Sequence, residues 1–445
     1  MKKYILSSLF LLIIILLIVS CGTDYMLSSF YLRKKDFEWL VSPSEQASID
    51  TKVQLTGDLS SQNTSPSVLA TPANYIIVIY ERRTTDRMDI IGVDGADTVD
   101  VYASISTDAE TFSPNTKVVG GKYSISSFDS HGSPISFVDK DGNVIVLAVK
   151  GIGFGTGTDA KKLTPISVSI STNNGQAWTD WEDVDTNVFK TLSDKGYNRY
   201  YTNPGNGKTL KNGTLACIID YRKHNNGGKN NADGFAIFYS TNNGKDWQVG
   251  ATMNYSGYSH RFARIIAENS DGSLLIGAVI NTGNDVYNKN GNLAWYKLDN
   301  LNGTITPISV TGLPQNNGGT ISGDNCTFTQ NGYKKSGILL AHSFPDRKYT
   351  NAAGKEINIP TSSALSMSED GGQSWTLITN IVGTGPQDKA SFRQSLMVLK
   401  DGTIANAYEE GDGSEITSAF SSFFIVYRRF SLESISKGVY KYEGL

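Results

Sequence analysis

The 445-residue sequence is poor in cysteine and histidine. It contains 3 cysteines and 4 histidines, and none has the C-x-x-C or H-E-x-x-H spacing of a zinc site. No metal or other cofactor is therefore expected. Beyond the first 21 residues only Cys217 and Cys326 remain. The sequence leaves open whether they form a disulfide or stay as buried free thiols.

An excess of charge of either sign is also missing. The 40 basic and 43 acidic residues give a net charge of −3 and a pI of about 5.9. No basic surface therefore indicates a nucleic-acid partner. Helical periodicity is absent over any long window, whereas glycine (44) and tyrosine (22) are abundant. This composition favours a turn-rich, all-β protein that is exported.

The N-terminus has the pattern of an export signal. Two lysines precede a mainly apolar run at residues 4–19, and residues 18–21 read I-V-S-C, which is similar to a bacterial lipobox. We expect residues 1–20 to be a lipoprotein signal peptide and Cys21 to carry a membrane-anchoring lipid. The protein would then lie in the bacterial cell envelope, facing the periplasm or the exterior. The alternative is an uncleaved anchor, because the run is near the lower length limit for a membrane span.

A short turn motif recurs along the chain. Residues 368–375 read S-E-D-G-G-Q-S-W, residues 171–178 read S-T-N-N-G-Q-A-W, and residues 240–247 read S-T-N-N-G-K-D-W. Residues 106–112, S-T-D-A-E-T-F, form a degraded copy. Apolar runs beside the motif predict a hairpin turn between strands. In that turn the Asp or Asn side chain accepts backbone N–H groups, the glycine adopts positive φ, and the tryptophan anchors the turn.

The spacing of the motif predicts the fold. The copies begin at residues 106, 171, 240 and 368, so they are 65, 69 and 128 residues apart, and the last interval is twice 64. A fixed period of this length indicates repeated supersecondary units, and four strands per unit fit a propeller blade. We predict an all-β, six-bladed β-propeller over residues 49–445, preceded by a tether at 21–48. One copy of the motif has been lost near residue 304.

Two details of this prediction remain open to test. The strand at 423–430 is expected to pair with the first blade, because closing the ring removes a free edge. The alternative to the propeller is that S/T-N-N-G is merely a common turn sequence. The tryptophan at the same offset in three copies argues against that alternative.

The turn motif resembles the Asp-box (BNR) repeat of the bacterial and trypanosomal sialidase (neuraminidase) family, and the resemblance covers most of residues 60–435. Other matching segments are S-P-S-V-L-A-T-P at 65–72 (family R-I-P-S-x-L-x-T-P), Y-E-R-R at 80–83 (A-E-x-R), N-G-T-L at 212–215 (N-G-x-L), H-S-F-P-D-R at 342–347 (an arginine-bearing segment) and Y-E-E-G at 408–411 (Y-E-x-G).

The resemblance implies an exo-α-sialidase, which hydrolyses terminal sialic acids on host glycans. In that family three arginines hold the sugar carboxylate, because a guanidinium matches it in a bidentate geometry. A tyrosine activated by a glutamate attacks the anomeric carbon, and an aspartate acts as general acid and base. The implied partners are glycans that contain sialic acid or related acidic sugars.

Several family positions are retained in this sequence. Arg83 matches a strand-end arginine, Arg347 matches the third carboxylate-binding arginine, and Glu409 matches a glutamate that steadies the first. Asp94 lies twelve residues before the copy of the motif at 106. This is the family distance from the acid/base aspartate to the first Asp-box, so Asp94 is the catalytic candidate. Asp97 and Asp89, on the same loop, are alternatives.

Other family positions are substituted. Thr64 stands where the first arginine is expected, Val279 where the second is expected, and Ala263 where the glutamate partner of the nucleophile is expected. Arg393 replaces the nucleophilic tyrosine. Loss of the nucleophile and its partner would remove covalent catalysis by that route. We expect Arg393 to line the pocket as a new substrate-binding charge, and a position on the blade surface is the alternative.

Other functions therefore remain in competition with the enzyme. The protein could be a catalytically inactive, glycan-binding propeller (a lectin or adhesin), as the substitutions suggest. A structural or partner-binding propeller without a sugar ligand is a third possibility, because the Asp-box is an element of the fold and lies away from the pocket. Arg264 and Arg261 are further candidates for pocket-lining charges, or for surface residues of a blade.

Overall fold

A computed structural model describes fourteen parts of the chain. They are residues 39–57, 62–83, 98–113, 117–126, 128–151, 163–224, 232–255, 259–281, 292–313, 320–350, 356–382, 391, 393–411 and 424–442. Six antiparallel sheets of four or five strands account for the fold. Each sheet is one blade, so the six-bladed β-propeller predicted from the motif spacing is confirmed.

In each of the first three blades, the strand nearest the axis comes first in the chain and the later strands lie farther out. Blade 1 contains β2 (Gln62–Ala70), β3 (Ile76–Arg83), β4 (Val99–Ser106) and β5 (Lys117–Val118). Blade 2 contains β6 (His131–Val138), β7 (Val144–Lys150), β8 (Ile166–Ser171) and β9 (Glu182–Asp183), and β11 (Gly205–Asn206) adds a short parallel pairing to β6. Blade 3 contains β10 (Arg199–Thr202), β12 (Lys208–Thr209), β13 (Leu215–Arg222), β14 (Gly234–Ser240) and β15 (Gln248–Asn254).

The other three blades repeat the arrangement. Blade 4 contains β16 (Ser259–Glu268), β17 (Leu274–Asn281), β18 (Asn292–Leu298) and β19 (Ile305–Ile308). Blade 5 contains β20 (Ser322–Gln330), β21 (Tyr333–Thr350), β22 (Glu356–Ser368) and β23 (Thr376–Val382). Blade 6 contains β24 (Gln394–Val398), β25 (Ile404–Glu410), β26 (Phe424–Phe430) and β1 (Asp50–Gln54). The helices are short: 3-10 turns at Pro43–Ser48 and Thr186–Phe189, α1 (Lys190–Ser193) and α2 (Leu432–Ile435).

The ring closes differently from the sequence-based expectation. The last strand, β26, pairs with β1, from Asp50 opposite Phe430 to Gln54 opposite Val426. The first described strand of the chain therefore becomes the outer strand of blade 6, and the predicted pairing with the first blade was wrong. The reason is that the outer edge of blade 6 would otherwise expose unpaired N–H and C=O groups.

Packing between neighbouring blades forms the core. The central strands are buried on both faces, so β3 and β13 read as nearly continuous apolar runs. Between blades 2 and 3, for example, Leu147 and Ile219 pack with Phe238 and Trp247 in one buried cluster. Cys217 and Cys326 are both buried free thiols, which settles the question that the sequence left open.

The Asp-box turns adopt the predicted geometry. Asp370 Oδ1 accepts the backbone N–H groups of Gln373 at 3.0 Å and Ser374 at 2.9 Å. Gly372 has a φ of +95°, and the Trp375 indole N–H donates to its carbonyl at 3.1 Å. In the other two full copies, Asn173 and Asn242 each accept a backbone N–H through Oδ1 at 2.9 Å.

The segment before the propeller docks on the face that carries the Asp-boxes. Trp39 is 3% exposed, its indole N–H donates to the Asn74 carbonyl at 2.6 Å, and its ring lies 5.1 Å from the Arg429 guanidinium. Val41 N–H donates to Asp401 at 3.1 Å. The described part of the tether is therefore fixed between blades 6 and 1.

Residues 1–38, with the predicted signal peptide and Cys21, lie outside the described residues. No helix among the described residues has both the length and the apolar character needed to cross a membrane.

Replacing Asp370 by alanine should destabilise the propeller, because at least two backbone N–H groups of the turn lose their acceptor. We expect a loss of about 2 kcal/mol in the free energy of unfolding, measured by chemical denaturation. Asp370→Asn is the matched control, since asparagine performs this role at 173 and 242. It should cost less than about 0.5 kcal/mol. Equal losses in both variants would contradict the assigned role of the side-chain oxygen.

Candidate functional site

The innermost strands of blades 1 and 2 are bulged where they meet the axis. Ser65 in β2 and Ser133 in β6 are buried and have φ angles of 61° and 51°, and the strand register shifts at both places. Positive φ is uncommon for residues other than glycine, and such positions concentrate at functional sites. Each bulge turns a backbone N–H toward a carboxylate: Ser65 donates to Glu409 at 2.8 Å, and Ser133 donates to Glu81.

One buried ion pair at the axis joins Glu409 and Arg393. Glu409 Oε1 lies 3.2 Å from Arg393 Nη1, and their side chains are 0% and 8% exposed. The Thr64 hydroxyl lies between them, because it accepts from Arg393 and donates to Glu409. Burial lowers the pKa of Arg393, but the negative charges of Glu409 and Glu81 reverse the shift, so its pKa lies above the ordinary value.

The Glu409–Arg393 pair explains one of the substitutions found in the sequence. Position 64 carries a threonine, so it lacks the guanidinium that Glu409 contacts in the family pattern. Arg393, at the start of the neighbouring strand in the same blade, brings a guanidinium to Glu409 instead. Arg393 is therefore buried in an ion pair and is not an exposed residue of a blade surface, while its role in substrate binding stays a prediction. Its guanidinium is fixed by Glu409 and Thr64 from behind.

A second buried ion pair joins Glu81 and Arg83 at the end of β3. Arg83 donates to Glu81 Oε1 through Nε at 2.8 Å and through Nη2 at 2.7 Å, and the two side chains are 2% and 0% exposed. The other carboxylate oxygen accepts the Ser133 N–H. Arg83, which the sequence predicted as a strand-end pocket residue, is thus held by a neighbour two positions away.

Tyr201 lies between these two ion pairs, and the sequence-based prediction missed it. Its hydroxyl bonds to the Ser133 side chain. Burial, and then the charge of Glu81, raise the pKa of Tyr201, while the charges of Arg83 and Arg393 oppose the shift. Tyr201 as a whole residue is partly exposed.

A signal for this position is present in the sequence. Pro66, Pro134 and Pro204 recur at intervals of 68 and 70 residues, which match the Asp-box period. The first two follow the bulge residues Ser65 and Ser133, and the third follows β10. Aligning these prolines would have placed Tyr201, three residues before Pro204, at the axial end of blade 3.

Arg264 fills the axis behind the two ion pairs. Its Nη1 donates to the carbonyls of Ile321 at 2.9 Å and Gln394 at 2.7 Å, and its Nη2 donates to the Pro204 carbonyl. The Arg264 side chain of blade 4 therefore binds backbone carbonyls of segments that belong to blades 3, 5 and 6. Burial and the charge of Arg393 lower its pKa to about 9, against the opposing charge of Glu409, so the guanidinium is protonated at neutral pH.

Gly205 makes room for Arg264. A Cβ atom on Gly205 would lie 2.7 Å from Arg264 Cζ, and the φ of +132° at this glycine is one that L side chains rarely adopt. Ala263 and Val279, which stand where the family pattern has a glutamate and an arginine, are both buried as well. The structure thus places Arg264 at the axis rather than on a blade surface.

A third buried carboxylate, Asp220, lies on the blade 3 side of the axis. Its Oδ1 accepts from the Asn203 amide at 3.1 Å and from the Tyr255 hydroxyl at 3.4 Å. Burial and the charge of Asp220 raise the pKa of Tyr255 well above its ordinary value. Tyr255 and Asp220 therefore form a tyrosine–carboxylate hydrogen bond at positions that the family pattern did not indicate.

The remaining predicted residues can be located only in part. Asp94, with its alternatives Asp97 and Asp89, lies outside the described residues. The Arg347 backbone pairs with Ile359 in blade 5, and the described backbone of β16 includes Arg261, but the side chains of both arginines lie outside the described parts. Among the described residues, no group of three His, Cys, Asp or Glu side chains could hold a metal ion.

The fold and these contacts define a six-bladed propeller with buried ion pairs at its axis. A family model described as a BNR repeat-like domain matches residues 66–309, more than half of the chain. The chain therefore belongs to the BNR repeat-like domain family, and its fold is sialidase-like. None of the curated proteins matches this sequence.

Solved structures with the same fold include three sialidase relatives. A Hadza microbial sialidase matches with a TM-score of 0.60 at 19% identity, over 84% of this chain and 66% of its own. Trypanosoma rangeli sialidase matches with a TM-score of 0.60 at 15% identity, over 87% and 61%. The Ruminococcus gnavus intramolecular trans-sialidase matches with a TM-score of 0.61 at 16% identity, over 86% and 97%. The chain thus spans just under two thirds of the first two relatives and nearly all of the third.

Replacing Glu409 by alanine should strongly destabilise the protein, because the buried Arg393 guanidinium would lose its counter-charge. We expect a loss of about 3–5 kcal/mol in the free energy of unfolding, measured by denaturant titration. Asp180→Ala is the control. It breaks the Lys122–Asp180 pair, whose side chains are 70% and 74% exposed, and should cost less than about 1 kcal/mol. Similar small losses in both variants would contradict the buried ion pair.

Proposed function

We propose that this protein binds terminal sialic acids, or related acidic sugars of host glycans, in the axial pocket and hydrolyses them as an exo-α-sialidase with several substituted catalytic positions. One observation supports the proposal most strongly. Two buried arginines near the axis, Arg83 and Arg393, are each held by a carboxylate. Arginine held in this way is suited to bind a carboxylate. Among the relatives, Trypanosoma rangeli sialidase has been solved in complex with sialic acid.

The proposed roles follow from the retained positions. Arg83, Arg393 and Arg347 would bind the substrate, Glu409 would support them, and Asp94 would act as general acid and base. Arg393 cannot act as the nucleophile that a tyrosine would provide at this position, because a guanidinium is protonated and carries only donors. Hydrolysis therefore depends on a different nucleophile or on a water molecule that Asp94 activates.

Binding without turnover is the second candidate function. It is favoured by the Glu409–Arg393 ion pair at the position of the family nucleophile and by the apolar Ala263 at the position of its glutamate partner. In that case the protein would be a lectin or adhesin. The arginines would then retain the acidic sugar and release it unchanged.

The proposed envelope location rests on the I-V-S-C sequence before the tether. We propose that Cys21 carries the lipid and that the propeller is held at a membrane through residues 21–38. Trp39 docks on the Asp-box face, so the tether leaves the propeller from the face opposite to the pocket. This arrangement is compatible with a pocket that faces away from the membrane and toward glycans.

A fluorogenic sialoside assay on residues 22–445 separates hydrolysis from binding. If hydrolysis occurs, Asp94→Ala should lower kcat by at least about 100-fold, because a general acid and base is removed. Arg347→Ala should raise KM by about tenfold or more, because one charge-assisted contact is lost. Asp97→Ala and Asp89→Ala are the matched controls on the same loop and should retain activity.

Calorimetry with free sialic acid completes the test. Binding without turnover would favour the lectin, whereas neither binding nor turnover would contradict the proposed function. Full activity in both Asp94→Ala and Arg347→Ala would reject these site residues while leaving hydrolysis itself in place.

A further inference from the structure

A cavity of about 610 Å³ lies on the Asp-box face, where blades 3, 4, 5 and 6 meet. Glu369 and Gly371, from the Asp-box at residues 368–375, line it. We propose that residues 30–32 of the tether, Phe-Tyr-Leu, occupy this cavity and hold the tether against the propeller. The inference is independent of the proposed glycan chemistry, because Arg83 and Arg393 do not line the cavity.

The turn between β24 and β25 connects the docked part of the tether to the cavity. Trp39 and Leu399 belong to the same buried hydrophobic cluster. Leu399 also lines the cavity, together with Lys400 and Gly402 of the same turn. The first described residue of the chain is therefore packed against the residue whose other neighbours form the cavity wall.

The tether is long enough to enter the cavity from this point. Leu32 precedes Trp39 by seven residues, since 39 − 32 = 7, and Phe30 and Tyr31 precede Leu32 directly. An extended chain spans about 3.3 Å per residue, so seven residues reach about 23 Å. This reach is more than four times the distance of about 4.8 Å between neighbouring strands. The link from Trp39 to Leu32 can therefore pass around one turn of blade 6.

The lining of the cavity favours an apolar occupant over an ion. Apolar side chains come from Leu210, Ile338, Val398 and Leu399. The charged side chains of the lining balance, because three are basic and three are acidic: Lys208, Lys211, Lys400, Glu268, Asp324 and Glu369. A lining without an excess of charge does not select an anion or a cation. Cavities of about 300–1,000 Å³ with apolar walls and a few polar groups typically hold compact, largely apolar ligands.

The tether has an advantage over any free peptide as the occupant. It is covalently held at the edge of the cavity, so its effective concentration there is on the order of millimolar. Residues 30–32 are also a cluster of large apolar side chains, and burying them removes apolar surface from water. A segment of this chain therefore fits the cavity better than a separate partner.

Docking of residues 30–32 would set the distance of the propeller from a membrane. This consequence rests on the proposed lipid at Cys21. An undocked chain from Cys21 to Trp39 spans at most about 60 Å, whereas the chain from Cys21 to Phe30 spans at most about 30 Å. The docked tether thus halves the reach and keeps the Asp-box face toward the membrane.

Trypsin cleavage tests the docking, because Arg33, Lys34 and Lys35 directly follow the proposed segment. The chain of residues 22–445 is digested, and the rate of cleavage at 33–35 is followed by mass spectrometry. In the double variant Phe30→Asp/Leu32→Asp we expect this rate to rise about tenfold or more, because cleavage follows the population of the undocked segment.

Tyr25→Asp/Leu27→Asp is the matched control, since it makes the same kind of change in the same tether outside the proposed segment. Its cleavage rate should equal that of the wild type. A rise in the control that equals the rise in Phe30→Asp/Leu32→Asp would overturn the assignment of residues 30–32. Cleavage that is equally fast in the wild type and all variants would overturn the docking itself.

A change in the cavity wall tests the location. Asn325 is exposed and lines the cavity, so Asn325→Trp fills the space without disturbing the core. We expect it to accelerate cleavage at residues 33–35 as strongly as the tether variant does. Thr306→Trp, at an exposed position of the outer strand β19, is the control and should have no effect.

Two further outcomes would overturn the inference. If Asn325→Trp leaves the cleavage rate unchanged while Phe30→Asp/Leu32→Asp raises it, the segment is docked elsewhere on the protein. If the protection in the wild type weakens on dilution, a second copy of the chain provides the contact. The melting temperature of each variant is measured in parallel, and a variant that keeps the wild-type value reports on the tether rather than on unfolding of the propeller.

Discussion

The structure depends on buried charged side chains that bind backbone groups across blade boundaries. Glu409 of blade 6 binds the bulge of blade 1, and Glu81 of blade 1 binds the bulge of blade 2. Arg264 of blade 4 then binds carbonyls in the chain of blades 3, 5 and 6. Removing one side chain of a buried ion pair leaves the other charge without its partner, and this lowers the free energy of unfolding by several kcal/mol. These contacts therefore fix the blades relative to one another at the axis and also determine the pocket's charge.

The outer part of the molecule is organised by a different and more local principle. Each Asp-box satisfies its own backbone groups within a few residues, so it can vary between Asp370 and Asn242 without loss of geometry. The turns hold the corners of the blades and carry no ligand chemistry. This division explains how the fold can be retained while the pocket residues change. Family membership therefore establishes the architecture and leaves the activity to be determined.

The sequence predicted the features that local chemistry controls. The Asp-box copies and the blade period could both be read from motifs and spacing. Ring closure through β1 could not, because Asp50 and Phe430 are brought together by the whole fold. The axial contacts of Arg264 depend on four blades at once, so no local pattern marks them. Tyr201 was missed because the family pattern directed attention to position 393, although the proline period pointed to blade 3.

The substitutions form a connected set. Where the family pattern has an arginine, Thr64 provides a hydroxyl, and Arg393 brings the guanidinium back from another strand to the same glutamate. A guanidinium is thus kept beside Glu409 at the axis. Under the proposed function, such a site would be better suited to bind an anion than to cleave a glycoside by the family route.

A crystal structure of the protein soaked with N-acetylneuraminic acid tests the central claim most directly. The sugar carboxylate is expected within hydrogen-bond distance of Arg83 and Arg393, with Arg264 still bound to the carbonyls of Ile321 and Gln394. A carboxylate bound away from both Arg83 and Arg393, or bound only after the Glu409–Arg393 pair separates, would contradict the proposed function.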